Sequence, residues 1–156
     1  MVHPIEKVAV AEAVTRLFHA LDARDWETIA ALAVEPIDLD YPSKQGGPEL
    51  VSTDDFVAGL QSFLPGFDAT QHLLGPIVVE LGEEFTATAR FDARVTHVLT
   101  ETADAPIWVI GCHYTIGLKQ EDGEWRACSS RVRVMYEEGN PALETAARER
   151  VQLSSL

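Results

Sequence analysis

The chain has 156 residues, 46% of them hydrophobic, enough for one ordinary domain with a full core and too few for a comfortable second one. Its 25 acidic side chains against 12 basic ones leave a formal net charge of -13, which repels phosphate backbones and anionic lipid and argues against nucleic-acid or membrane partners. No stretch approaches the roughly 20 apolar residues of a membrane span, and Met1 to Lys7 has no basic region followed by an apolar run, so a single cytoplasmic domain over residues 1–156 is expected.

The first third reads as helix. From Ile5 onward, Val10, Val14, Leu17, Phe18 and Leu21 recur at spacings of three and four, marking one helical face. Asp25 suits the N-cap of a second helix through Ala33, with Glu27 favourable in its first turn. Ile37 to Tyr41 reads as a short strand, ended by Pro42 and a loop through Gly46-Gly47-Pro48. Thr53 or Ser52 caps a third helix from Asp54 to about Leu64, stopped by Pro65-Gly66.

The remainder reads mostly as strand. Gln71 to Leu81 is apolar and β-branched, with an irregularity at Gly75-Pro76. Glu84 to Thr100 alternates: Phe85, Ala87, Ala89, Phe91, Ala93, Val95, His97 and Leu99 share one face. Ile107 to Lys119 alternates too, Trp125 to Tyr136 is the last long strand, and Asn140 to Gln152 is a terminal helix. Asp122-Gly123 is a two-residue hairpin signal, which sets Cys112 opposite Arg133 and Cys128 opposite Gly117. The thiols are then about 16 Å apart at strand rise, too far for a disulfide, so both should be free. Long strands on short turns imply an antiparallel sheet. Such a sheet curls, and three N-terminal helices can close its concave side, giving an α+β cone with an enclosed pocket.

Polar residues on apolar faces carry the chemical signal, because burial without a partner is costly. Asp22 follows Phe18 by four residues and extends the inward stripe of the first helix. His97 stands on the apolar side of its strand, and His72 starts another strand in Thr70-Gln71-His72-Leu73-Leu74-Gly75. A lone histidine in either place is more often a satisfied core residue than a catalyst, and Asp22 could lie past its helix end. Tyr114 is on an apolar face and Tyr41 ends a strand. Phe18, Leu21, Trp108 and Tyr114 are the apolar-face residues expected to touch a substrate. Two cysteines on different strands make no metal site, and no phosphate loop, dinucleotide fingerprint or nucleophile elbow is present.

Leu21-Asp22-Ala23-Arg24-Asp25-Trp26, Ile37-Asp38-Leu39-Asp40-Tyr41, Thr70 to Gly75, Val95-Thr96-His97 and Asp122-Gly123-Glu124-Trp125 together resemble the SnoaL-like branch of the nuclear-transport-factor-2-like superfamily. The likeness covers roughly residues 9–139 and is strongest to scytalone dehydratase and its bacterial relatives. It implies the cone fold, acid–base chemistry without cofactor or metal, and a homo-oligomer, dimer or trimer. By the same resemblance, Asp22 orients a catalytic histidine matched by His97. His72 matches the second pocket histidine, and Tyr41 a tyrosine that binds water or polarises a carbonyl. In the hexachlorocyclohexane dehydrochlorinases of this branch, residues like Asp22 and His72 form the proton-abstracting pair. Leu21 and Tyr114 depart from the dehydratase pattern, which has a second tyrosine and an asparagine there, so a naphthol-type substrate is not implied.

Three functions fit. The first is a cofactor-independent lyase or isomerase acting on a small, largely apolar cyclic substrate, with a second histidine to protonate the leaving group and polyketide cyclisation as a near variant. The second is a small-molecule-binding module without chemistry. The third is an interaction domain whose outer sheet face, exposed and apolar, makes an oligomer; a polar sheet-mediated subunit contact at Arg90, Asp92 and Arg94 is expected whatever the function. The enzyme requires Asp22 to contact a histidine; the interaction domain requires a filled interior.

Overall fold

The computed structural model describes residues 4–41, 47–102 and 104–156; the turn expected at Pro42 to Gly46 falls outside them. Helix α1 spans Pro4–Ala23 and buries Val10, Ala13, Val14, Leu17, Phe18, Ala20 and Leu21 along the stripe its spacing predicts. Burying a side chain such as Phe18 contributes about 1.5–3 kcal/mol. Helix α2, Trp26–Ala31, starts at Asp25, whose carboxylate accepts from the Thr28 amide at 3.1 Å and the Thr28 hydroxyl at 2.7 Å. It ends earlier than expected because Ala33 already pairs with a strand. Strand β1 runs Ala33–Asp40 and pairs with a short β2, Glu49–Val51, which the sequence did not announce. Helix α3, Thr53–Gln61, is capped by the Ser52 hydroxyl, and a 3₁₀ turn at Leu64–Gly66 follows.

The strand-rich half contains β3 (Ala69–Leu74), β4 (Val78–Leu81), β5 (Thr86–Val98), β6 (Ile107–Glu121) and β7 (Glu124–Gly139), closed by helix α4 (Leu143–Ser154). The irregularity at Gly75-Pro76 is the break between β3 and β4, which pair with successive stretches of β5. The seven strands form one sheet in the order β2-β1-β7-β6-β5-β3, with β4 also on β5. The sheet is mixed rather than wholly antiparallel, since β1 lies parallel to β7, Leu39 opposite Ser130. Parallel neighbours need a long crossover, and here all the chain between β1 and β7 supplies it.

The Asp122-Gly123 hairpin sets Glu121 opposite Glu124 as expected, but two bulges then shift the ladder. Gly117 faces Ser129 instead of Cys128, and Cys112 faces Val134 instead of Arg133. A bulge inserts one residue on one strand, which turn chemistry cannot reveal. Both cysteines are free all the same. Phe85, expected on the apolar face, is 73% exposed at φ 59, one residue before β5 begins.

Helix α1 lies across the concave side, against β3, β4, β5 and β7. Its apolar stripe joins Ala89, Phe91, Val95, Tyr114, Ile116 and Leu118 in the main core. A second, smaller cluster of Phe67, Leu99, Trp108, Leu143 and Ala147 sits where α4 packs on the 3₁₀ turn. Gly66 permits that contact: a Cβ there would meet the Ala147 carbonyl oxygen at 2.0 Å.

Candidate active site

Asp22 is one residue from the end of α1, on the side facing β3. Beyond β5, β3 has no other partner in the sheet order. An edge strand leaves alternate amides unpaired, and Asp22 takes one of them: its Oδ2 accepts from the His72 backbone N–H at 2.9 Å. Its Oδ1 meets His72 Nδ1 at 2.6 Å. Burial works to raise the Asp22 carboxyl, but the His72 side-chain and backbone hydrogen bonds, with the His72 and Arg24 charges, hold it below its ordinary value. An ionised carboxylate can only accept, so Nδ1 carries a proton, and in the neutral ring the lone pair of His72 is on Nε2. Nε2 has no hydrogen-bond partner among the described residues. The His72 side chain is 8% exposed and that of Asp22 24%, so the pair is reached from solvent on the carboxylate side.

The resemblance offered two partners for Asp22, and the structure pairs it with His72, not His97. Thr70 faces His97 across β3 and β5, which puts both histidines on the concave face, since residues two apart share a face. His97 is 4% exposed. Its Nδ1 lies 3.1 Å from the Trp108 carbonyl oxygen, and its ring stacks on Trp108 at 4.4 Å with Phe67 at 4.9 Å. A carbonyl only accepts, so here too Nδ1 carries the proton and Nε2 is an acceptor. Burial pushes His97 down to about 4, against the opposing pull of its bond to Trp108. Burial thus favours the neutral ring, and a proton directed at the Trp108 carbonyl leaves Nε2 as an acceptor.

The four expected substrate contacts divide. Phe18 is edge-on to His72 at 5.3 Å and to Tyr114 at 5.0 Å, and Tyr114 stacks on Phe91. Trp108 belongs to the His97 cluster, and Leu21 is packed in the main core. Burial raises the Tyr114 hydroxyl well above its usual range, with Cys112, Tyr41 and Asp22 adding to the effect. Tyr41 is raised by burial as well, offset by the Ser130 side chain. Both phenols therefore stay protonated and can donate. Two clefts are described, both away from the concave face on which the enclosed pocket was expected. Of those, one of about 340 Å³ lies on the outer sheet face at Leu73, Arg94 and Tyr136, and one of about 480 Å³ lies beside α4.

A family model described as a SnoaL-like domain matches residues 5–131. The chain belongs to the SnoaL-like domain family. Among solved structures, this SnoaL-like domain is similar to a protein of Kribbella flavida (TM-score 0.82, 23% identity, 90% of this chain and 97% of that one). A protein of Novosphingobium aromaticivorans provisionally assigned as a scytalone dehydratase aligns with TM-score 0.70 at 22% identity, over 86% and 87% of the two chains. A hexachlorocyclohexane dehydrochlorinase of Novosphingobium barchaimii aligns with TM-score 0.70 at 15% identity, over 88% and 91%. No curated protein matches the chain. These likenesses establish the fold, and the family with its dehydratase and dehydrochlorinase neighbours supports an enzyme that processes small molecules.

Sequence reasoning passed over three polar residues of this SnoaL-like domain. Arg24 donates through Nη1 to the Thr70 hydroxyl at 2.6 Å and the Asp22 carbonyl at 3.0 Å, and through Nη2 to the Leu64 carbonyl at 2.9 Å. Thr70, 6% exposed, lies 3.4 Å from Asp22 Oδ1. Glu137 faces Ile110 across the ladder and accepts from Trp108 Nε1 at 3.2 Å. Arg24 carried a signal, a long cation between an inward aspartate and a cap; Glu137 carried none, because a bulge sets its face. Among the described residues, no group of three or more His, Cys, Asp or Glu is arranged to hold a metal ion, and no helix is long and apolar enough to cross a membrane.

Proposed function

We propose that the domain is a cofactor-independent lyase or isomerase that removes a proton α to a carbonyl in a small, largely apolar cyclic substrate. The observation that carries this reading is the 2.6 Å contact between Asp22 Oδ1 and His72 Nδ1, with the other carboxylate oxygen held by the His72 amide. Two bonds from one carboxylate to one residue fix both the tautomer and the ring orientation, so Nε2 is presented as a base.

The reaction follows from five polar groups. His72 Nε2 takes the α proton and becomes an imidazolium paired with the Asp22 carboxylate. The electron pair of the broken C–H bond moves toward the carbonyl oxygen, where Tyr41 and Tyr114, both kept protonated by burial, donate hydrogen bonds to the developing enolate. His97 Nε2, an acceptor, holds a substrate hydroxyl. With His97 neutral, the acid for a departing hydroxide is the imidazolium just formed on His72, so one residue acts as base and then acid. Returning that proton to another carbon instead gives isomerisation.

A panel of cyclic β-hydroxy ketones in D₂O tests this. Elimination, or deuterium entering the α position, is expected with wild type and should fall by about 10²–10⁴-fold in His72→Gln. Undiminished turnover in His72→Gln and Asp22→Asn would sink the reading. A non-catalytic binding module is the second reading, favoured by the aromatic side chains of Phe18, Phe91 and Tyr114 gathered beside His72. It predicts saturable binding of the same ketones without exchange or elimination.

A further inference from the structure

We infer that Arg24, acting through Thr70, is a positioning residue for the Asp22–His72 pair, on the reading of that pair as the acid–base site. Two hydrogen bonds close α1: the Arg24 amide donates to Leu21 O at 3.3 Å, and the Asp25 amide to Ala20 O at 2.9 Å. This is the Schellman pattern, which puts the residue just past the helix in a left-handed conformation and favours glycine there. Arg24 occupies that position at φ 55. A glycine would make the same turn without the steric cost, so backbone geometry does not account for an arginine.

The side chain does. Its guanidinium reaches back to the carbonyl of Leu21 (3.4 Å), which also takes the Arg24 amide, and to that of Asp22 (3.0 Å), an acceptor the helix end leaves without an intrahelical partner, and forward to Leu64 O at 2.9 Å. Its shortest bond, 2.6 Å, is to the Thr70 hydroxyl oxygen. Arginine has no acceptor, so Thr70 must accept in that bond. Its one proton is then directed elsewhere, and Asp22 Oδ1, 3.4 Å away, is the acceptor it faces. That contact is long for an O–H···O bond, so it orients more than it binds.

Oδ1 thus receives Thr70 on one side and His72 Nδ1–H on the other, while Oδ2 receives the His72 amide. The carboxylate cannot turn about its own axis without losing a donor. The Arg24 bond to the Asp22 carbonyl fixes the backbone that carries the carboxylate, and the Thr70 bond fixes the strand that carries His72, two residues on. One guanidinium therefore sets the separation of the two partners from both sides. The other titratable groups around Asp22 are His72, His97 on β5 and Tyr114 on β6, so Arg24 is the permanent cation among them.

The test is nitrogen-edited NMR of the His72 ring at neutral pH in Arg24→Gln, Thr70→Val, Thr70→Ser and Asp22→Asn. Nδ1–H should dominate in wild type. In Thr70→Val and Arg24→Gln, the ratio of Nδ1–H to Nε2–H should fall about five-fold, the weight of one net hydrogen bond. Thr70→Ser, which keeps the hydroxyl, should restore it. A fall in melting temperature with the tautomer ratio unchanged in both variants would reduce Arg24 to a helix cap and overturn the inference. Thr70→Val decides the question by itself if Arg24→Gln fails to fold. If Asp22→Asn also leaves the ratio unchanged, the pair itself is wrong and this inference falls with it; a response in Asp22→Asn alone removes only Arg24 and Thr70.

Discussion

His72 and His97 stand on neighbouring strands, on the same face of one sheet, yet their surroundings give them opposite properties. Around His72 the sheet has run out of strands, and a carboxylate from α1 takes the place of a ladder partner. Around His97 the strands continue on both sides, three aromatic rings pack on the imidazole and the partner is a backbone carbonyl. A carboxylate supports a positive ring; a carbonyl in an apolar box does not. Position on the sheet therefore decides which imidazole meets a carboxylate and which is held toward its neutral form by burial.

The comparison breaks most sharply at the level of turnover. His72→Ala should lower turnover by about 10²–10⁴-fold, as expected for loss of a general base. His97→Gln, which retains an amide able to accept, should raise KM more than it lowers kcat. Steady-state kinetics on any substrate found in the ketone panel separates the two. Equal losses in kcat would mean that the histidines act as one unit.

Stability against pH sharpens it next. His97 is lowered from its ordinary 6.5 to about 4, so between those values the unfolded chain binds a proton that the native ring refuses. Stability is then fully present above pH 6.5 and is lost as pH falls toward 4, by about 3 kcal/mol at the limit. His97→Leu should remove that component, and urea titrations at pH 7 and pH 4.5 measure it as a double difference. An identical pH dependence in wild type and variant would contradict the buried neutral ring.

Two smaller effects test whether the regions are separable. Gly66→Ala forces a methyl against the Ala147 backbone and should cost about 1–3 kcal/mol by overpacking, displacing α4 and shifting the His97 ring signals while those of His72 stay in place. Ser52→Ala removes the cap of α3 and should cost about 1 kcal/mol, moving neither histidine. Thermal melts paired with ring NMR report both.

Much of this frame was legible in the chain. The stripe from Val10 to Leu21 placed α1 and pointed Asp22 inward, because helical spacing depends on local sequence alone. Strict alternation put His97 and Tyr114 on the concave face for the same reason, and Asp122-Gly123 marked its hairpin because few residues tolerate that turn. Less legible were the features that depend on distant chain. The bulges that moved Cys112 and Cys128 out of register arise where long strands adjust their twist. The parallel pairing of β1 with β7 joins segments about 90 residues apart. Phe85 alternates correctly in sequence but falls on a turn outside the sheet.

The same boundary runs through the site. Composition, helical phase and strand alternation determined by themselves an α+β domain with one inward aspartate, two histidines and two tyrosines as candidates, since each property is carried by residues close in sequence. Only the tertiary structure decided that Asp22 takes His72, that His97 packs on Trp108 and Phe67, and that Arg24 reaches Thr70. Those choices depend on the order of strands in the sheet and on where its edge falls, which for Asp22 and Arg24 bring together residues 50 and 46 positions apart.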